Sequence, residues 1–293
     1  MPGEPDSPPR SATDVALRKS TGVARSRATE RTIDAVVKYY DTDEKAEAAA
    51  TKYRHLVALQ NGLFASPVVR AVRRDPPRIE FELLDSECTV DVEIVRVLRS
   101  TDPIAAVELV ASVGRALAHI HDGLDLPSSH RNSRSLALKA QLPPGGLEAF
   151  APIPRVTLHG DFGMSNVAVD ADGGLVIYDP EPSRYTSGAV DSIDVPEMDL
   201  ATFVTCLAGR TRGLGNMWLM RQAYAELSDA FLSAYASSRS VEASDAFHRD
   251  RLAALMVAQG AAYRAVAGRG RGALVAALAR WAAARLPETK PDL

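Results

Sequence analysis

Cysteine is scarce. Cys88 and Cys206 are the only two in 293 residues, they stand far apart, and neither has a partner at metal-ligand spacing. That leaves no disulfide scaffold and no structural zinc motif, and reads as two reduced thiols in an intracellular protein. A surplus of one charge is missing too. Lys and Arg total 34 against 37 Asp and Glu, a formal net charge of -3, so nothing marks nucleic acid or an anionic membrane as a partner. No stretch approaches the ~18 uninterrupted apolar residues of a membrane-crossing helix. Residues 1–13 are Pro, Ser and charge without the apolar centre of a signal peptide, and read as a disordered tail, as do residues 288–293. These absences predict a soluble cytoplasmic protein. What is present is globular: 46% hydrophobic and 24% charged, in a chain long enough for two modest domains or one domain of two lobes.

The pattern changes along the chain. Residues 14–84 read as mostly β with one helix. Strands are predicted at residues 15–17, 33–40, 68–72 and 78–84, with Asp75-Pro76-Pro77 as a turn between the last two. Residues 43–60 read as an alanine-rich helix capped by Asp41-Thr42-Asp43. Residues 20–27 hold hydroxyls, one glycine and two arginines, a composition for covering phosphates or for an ordinary polar hairpin. Residues 85–287 turn helical. A helix opens at Asp102-Pro103 and runs to Ile120-His121, residues 128–144 read as loop, and helices dominate from Asp199 onward.

Between these regions lies His159-Gly160-Asp161-Phe162-Gly163-Met164-Ser165-Asn166, followed after an Asp172-Gly173-Gly174 turn by Val176-Ile177-Tyr178-Asp179. A polar turn with Asx caps explains one Asp–Asn pair. It does not explain a second acid after a further apolar run. An acid, an amide and a second acid suit phosphoryl transfer, which needs positioning, metal ions and one base for the incoming hydroxyl. Asp161 is the candidate base. Asn166 and Asp179 are candidate Mg²⁺ ligands, because that ion takes hard oxygen donors.

These segments, with Pro180-Glu181 and the later Asp199-Leu200-Ala201, resemble the aminoglycoside phosphotransferase and choline kinase-like family. The resemblance implies an α+β, bilobal protein-kinase-like fold with a small β-rich N-lobe and a larger, mostly helical C-lobe. It implies ATP (or GTP) and Mg²⁺ as cofactors and a small-molecule hydroxyl acceptor. It implies that Lys38 contacts the nucleotide phosphates, that a helix carboxylate fixes that lysine, and that Asp199 braces the catalytic loop. It puts the nucleotide near Leu83 and Leu84.

Glu44 and Glu47 compete as the lysine's partner, and Glu47 is the choice made from sequence. Glu181 reads either as a metal-side ligand or as the start of the next loop. His159 reads as a neutral imidazole under the loop, bonded to backbone; His119 and His121 read as helix-end cations. Gly160 stands where regulated protein kinases carry arginine, and no Ala-Pro-Glu segment follows, which favours a small acceptor over a protein. Asp191, Asp194 and Glu197 form either a polycation-binding cluster or a solvated acidic loop. Gly268-Arg269-Gly270-Arg271-Gly272 follows no strand and reads as a flexible turn. A non-catalytic nucleotide-binding module is the rival reading. The oligomeric state is left open.

Overall fold

The computed structural model describes residues 29–31, 35–84, 86, 88–100, 103–127, 129–131, 133–150, 152, 154–182, 185–209, 213–242 and 245–287. The predicted strand at 15–17, the candidate phosphate loop at 20–27, residues 33 and 34, and both predicted tails lie outside the described residues.

The N-terminal region is a four-stranded antiparallel sheet carrying one helix. Its strands are β1 (Thr29–Arg31), β2 (Ala35–Tyr39), β3 (Val69–Arg74) and β4 (Pro77–Glu82), in the order β1-β2-β4-β3. Helix α1 (Asp43–Ala58) connects β2 to β3. It starts where expected, with the Thr42 hydroxyl accepting the Lys45 amide at 3.3 Å. Ala46, Ala49, Ala50 and Tyr53 repeat at helical spacing and are buried with Ile79 and Phe81 of the sheet. Three alanines let the helix lie close to the strands, and the Tyr53 ring packs 4.5 Å from that of Phe81.

The rest is mainly helical: β5 (Cys88–Thr89), α2 (Val90–Arg99), α3 (Pro103–Gly123), β6 (His130–Arg131), α4 (Leu136–Lys139), β7 (Val156–Thr157), β8 (Val167–Val169), β9 (Leu175–Ile177), β10 (Ser192–Asp194), α5 (Glu197–Leu207), α6 (Leu214–Ser238), α7 (Arg249–Ala267) and α8 (Arg269–Ala283). Every residue of α5 is buried, as a helix at the centre of a core must be. Helix α3 is long and apolar enough to cross a membrane by composition. Here it packs on α6, and its approach is set by Gly114, where an added Cβ would stand 2.5 Å from the Phe231 carbonyl oxygen.

Two three-stranded sheets hold the loops of interest, in the orders β5-β8-β9 and β6-β10-β7. The segment after α1 joins the first of them. Ala65 donates its amide to Leu175 at 2.7 Å and accepts that of Ile177 at 2.8 Å, in a parallel bridge to β9.

Two sequence expectations need correction. Residues 128–144 are not all loop, because His130 and Arg131 pair with Ser192 and Ile193 as strands and Ser135 caps α4 through the Leu138 amide. The glycine–arginine segment is not a flexible turn. Only Gly268 (φ +83°) breaks the chain, and α8 begins at the next residue.

Candidate active site

The loop at residues 159–166 rests on a buried polar floor. Asp199, in the first turn of α5, accepts the backbone amides of His159 (2.6 Å) and Gly160 (2.9 Å). His121 Nε2 lies 3.1 Å from the same carboxylate, and its Nδ1 is 2.8 Å from the Tyr235 hydroxyl. Burial opposes the Asp199 charge, yet the hydrogen bond and charge interactions with His121 and His159 and the Gly160 amide carry its pKa below the ordinary value. Burial also lowers the His121 pKa, so this imidazole works as a neutral hydrogen-bonding link and not as a helix-end cation.

His159 is fully buried, with its ring edge against Phe162 at 5.2 Å. Its backbone is bonded as expected of a loop anchor. The ring is not, because neither imidazole nitrogen has a hydrogen-bond partner among the described residues. Burial pulls its pKa down to about 4, so the ring is neutral at ordinary pH.

From the other side, Lys52 of α1 reaches the floor, donating to the carbonyls of His159 (3.0 Å) and Val190 (2.6 Å). It is fully buried, and desolvation brings its pKa to about 8 against the pull of Asp199 and Asp191. Gly160 takes φ +102°, and an added Cβ would stand 3.0 Å from the Pro182 nitrogen. The residue before Asp161 therefore has to be small and left-handed.

The face of the loop carries the candidate chemistry. Asn166 donates Nδ2 to the Asp161 carbonyl at 2.8 Å and lies 3.3 Å from its carboxylate. The donor end of the amide is thus spent on the loop, and Oδ1 is its remaining acceptor end. Asp179 ends the β8–β9 hairpin with φ +60°, the one non-glycine residue with positive φ among those described. Its amide donates to the Tyr53 hydroxyl at 2.8 Å. A non-glycine residue held in this region marks a position fixed by its surroundings.

Two hard oxygen donors from two residues suit Mg²⁺, which keeps several waters and shares substrate phosphates. No cluster of three or more His, Cys, Asp or Glu suited to a metal occurs among the described residues.

Lys38 lies on β2, between β1 and β4, and pairs with Asp179 and, at 2.9 Å, with Glu181. Glu181 is buried and also accepts the Tyr40 hydroxyl at 2.6 Å. The expected helix carboxylate is not there. Glu44 and Glu47 are both exposed on α1, because the face turned to the sheet is Ala46, Ala49, Ala50 and Tyr53. Glu47 therefore does not hold Lys38. Leu83 and Leu84 follow β4 in an irregular, half-buried connection.

The acidic cluster is spent on structure. Arg134 grips Asp194 through two bonds of 2.6 and 2.8 Å, Arg155 adds a third at 3.1 Å, and His130 meets Asp191 at 2.8 Å. Glu197 is buried, accepts the His248 amide at 2.5 Å, and faces Arg251 at 3.5 Å. Sequence reasoning missed Tyr40, Lys52 and Tyr53. For Tyr53 the usable signal was helical phase, which turns positions 46, 49, 50 and 53 inward together.

No family model matches the chain, and no curated protein matches it in sequence. Solved structures do match. A glucosamine kinase aligns with TM-score 0.62 at 19% identity, over 91% of this chain and 78% of that one. A glucosamine kinase in complex with glucosamine, ADP and inorganic phosphate aligns at 0.60 and 18%, over 92% and 80%. A choline/ethanolamine kinase family protein from Mesorhizobium loti aligns at 0.56 and 13%, over 95% of each chain. The fold is therefore the α+β, kinase-like one of these proteins, with a small antiparallel sheet region followed by a larger helical part.

Proposed function

We propose that this protein is a cytoplasmic small-molecule kinase that moves the γ-phosphoryl group of ATP, or GTP, to a hydroxyl. The observation that carries this reading is that Lys38 of β2 meets Asp179 at the end of the hairpin whose preceding loop links Asp161 to Asn166. Similarity of fold to kinases for glucosamine and choline or ethanolamine supports it.

In this reading the acceptor oxygen attacks the γ-phosphorus as its bond to the β-γ bridging oxygen breaks. Asp161 orients the hydroxyl and takes its proton. Lys38 neutralises the nucleotide phosphates. Mg²⁺, held by Asn166 Oδ1 and Asp179, would supply charge neutralisation on the transferring phosphoryl oxygens.

We assign the acceptor to the neutral or weakly charged, hydroxyl-bearing class and not to polycations. Asp194 and Glu197 already pair with arginines, and Asp191 meets His130.

The test is ADP release with Mg²⁺ and ATP against a panel of sugars, polyols, amino alcohols and aminoglycosides. Acceptor-dependent turnover is expected, with Asp161→Asn lowering it by about 10²–10⁴-fold and leaving the thermal midpoint unchanged. Nucleotide binding with no turnover on any acceptor would put a non-catalytic nucleotide-binding module in its place. Absence of nucleotide binding would overturn both.

A further inference from the structure

Lys38 needs a fixed position to meet phosphates, because a flexible ammonium loses side-chain entropy on every contact it makes. The two α1 glutamates weighed from sequence do not supply that hold. The helix turns three alanines and Tyr53 toward the sheet, and Glu44 and Glu47 are exposed.

The structure offers a different carboxylate. Glu181 lies two residues beyond Asp179 and is 2% exposed at its side chain, against 41% for Asp179. A carboxylate buried that deeply survives only with a cation and hydrogen bonds around it. Lys38 supplies the cation at 2.9 Å, and the Tyr40 hydroxyl supplies a hydrogen bond at 2.6 Å. The turn is closed by the Glu181 amide on the Asp179 carbonyl at 2.7 Å.

We infer that Glu181 is the positioning residue that anchors Lys38 for the nucleotide phosphates. The inference rests on the phosphotransferase reading and adds a residue role to it. The anchor sits on Asp179-Pro180-Glu181, so lysine anchor and candidate metal ligand share one three-residue segment. Asp179 is the more exposed of the lysine's two carboxylates, and Glu181 the buried one. The competing role for Glu181 is direct metal ligation.

The two roles separate in the absence of metal. The experiment measures ADP affinity of the full chain by calorimetry in EDTA and again with Mg²⁺, for wild type, Glu181→Gln, Lys38→Met and the double variant. An anchor predicts about tenfold weaker ADP binding in EDTA for Glu181→Gln, and a double variant no worse than Lys38→Met alone. Tyr40→Phe removes only the supporting hydrogen bond, so a smaller loss in the same direction is expected. That variant also serves if Glu181→Gln does not fold. Glu47→Ala should leave ADP affinity unchanged.

Unchanged ADP affinity in EDTA together with weakened Mg²⁺ dependence would make Glu181 a metal ligand and overturn the inference. Additive losses in the double variant would overturn it as well. Wild-type protein that binds no ADP would instead overturn the kinase reading itself.

Discussion

The two sides of the loop at residues 159–166 solve opposite problems. Below it, Asp199, His121, His159 and Lys52 are sealed from water. Their charges are few, one imidazole is left without a partner, and the bonds they make go mostly to backbone. Above it, Asp161 and Asp179 stay partly open to solvent, and Asp179 shares a lysine with the buried Glu181. The difference teaches where stability and chemistry reside. A floor of buried groups bonded mostly to backbone fixes the loop, and the accessible oxygens of the face are the ones the proposed reading assigns to ions and substrate.

The largest expected effect comes from removing the floor's central charge. Asp199→Ala leaves the His159 and Gly160 amides and His121 without their acceptor, and should cost about 3–5 kcal/mol. Urea unfolding measures this. A loss under about 1 kcal/mol would mean that the floor does not carry the loop.

Acid should reach the floor before the face. The His159 pKa is depressed to about 4 in the folded protein, against about 6.5 when unfolded. Above pH 6.5 both states are neutral and the group contributes nothing. As pH falls from 6.5 toward 4, the unfolded state takes up the proton first, so stability drops by up to about 3 kcal/mol. The lowered pKa of Asp199 pushes in the same direction at lower pH. His159→Met should flatten the profile between pH 6.5 and 4, and equal slopes in the two proteins would remove His159 from this account.

The smallest effect sharpens the boundary between the two sides. Gly160→Ala puts a methyl into a left-handed position against Pro182 and should cost about 1–3 kcal/mol. Turnover should fall more than stability, because the strained residue adjoins Asp161. The ratio of the two losses, from kcat and the unfolding midpoint, is the measurement.

Much of the face was legible in sequence, because its information is local. Asp161, Asn166 and Asp179 lie on one hairpin, and short spacings between apolar strands suffice to place them. Lys38 was legible as a lysine in a β-branched strand. Its partner was misassigned because Glu47 follows Ala46 by one residue, a rotation of about 100° that carries it off the buried face.

The floor was only half legible. Lys52 finds its acceptors 107 and 138 residues away, and nothing near it in the chain announces them. The acids at 191 and 194 could not be told from a ligand cluster, because the arginines that take up Asp194 lie 39 and 60 residues earlier. Buried ion pairs of long sequence separation leave no periodic trace.

The bridge at Ala65 bears on any attempt to take the molecule apart. Residues 14–84 look separable from residues 85–287 by composition, yet Ala65 completes the outer side of β9 with two backbone hydrogen bonds. A fragment starting at residue 85 would expose that edge as an unpaired row of donors and acceptors, beside the hairpin that ends in Asp179. Such an edge recruits other strands. The helical part expressed alone should therefore self-associate, and a soluble fragment would have to begin before Ala65.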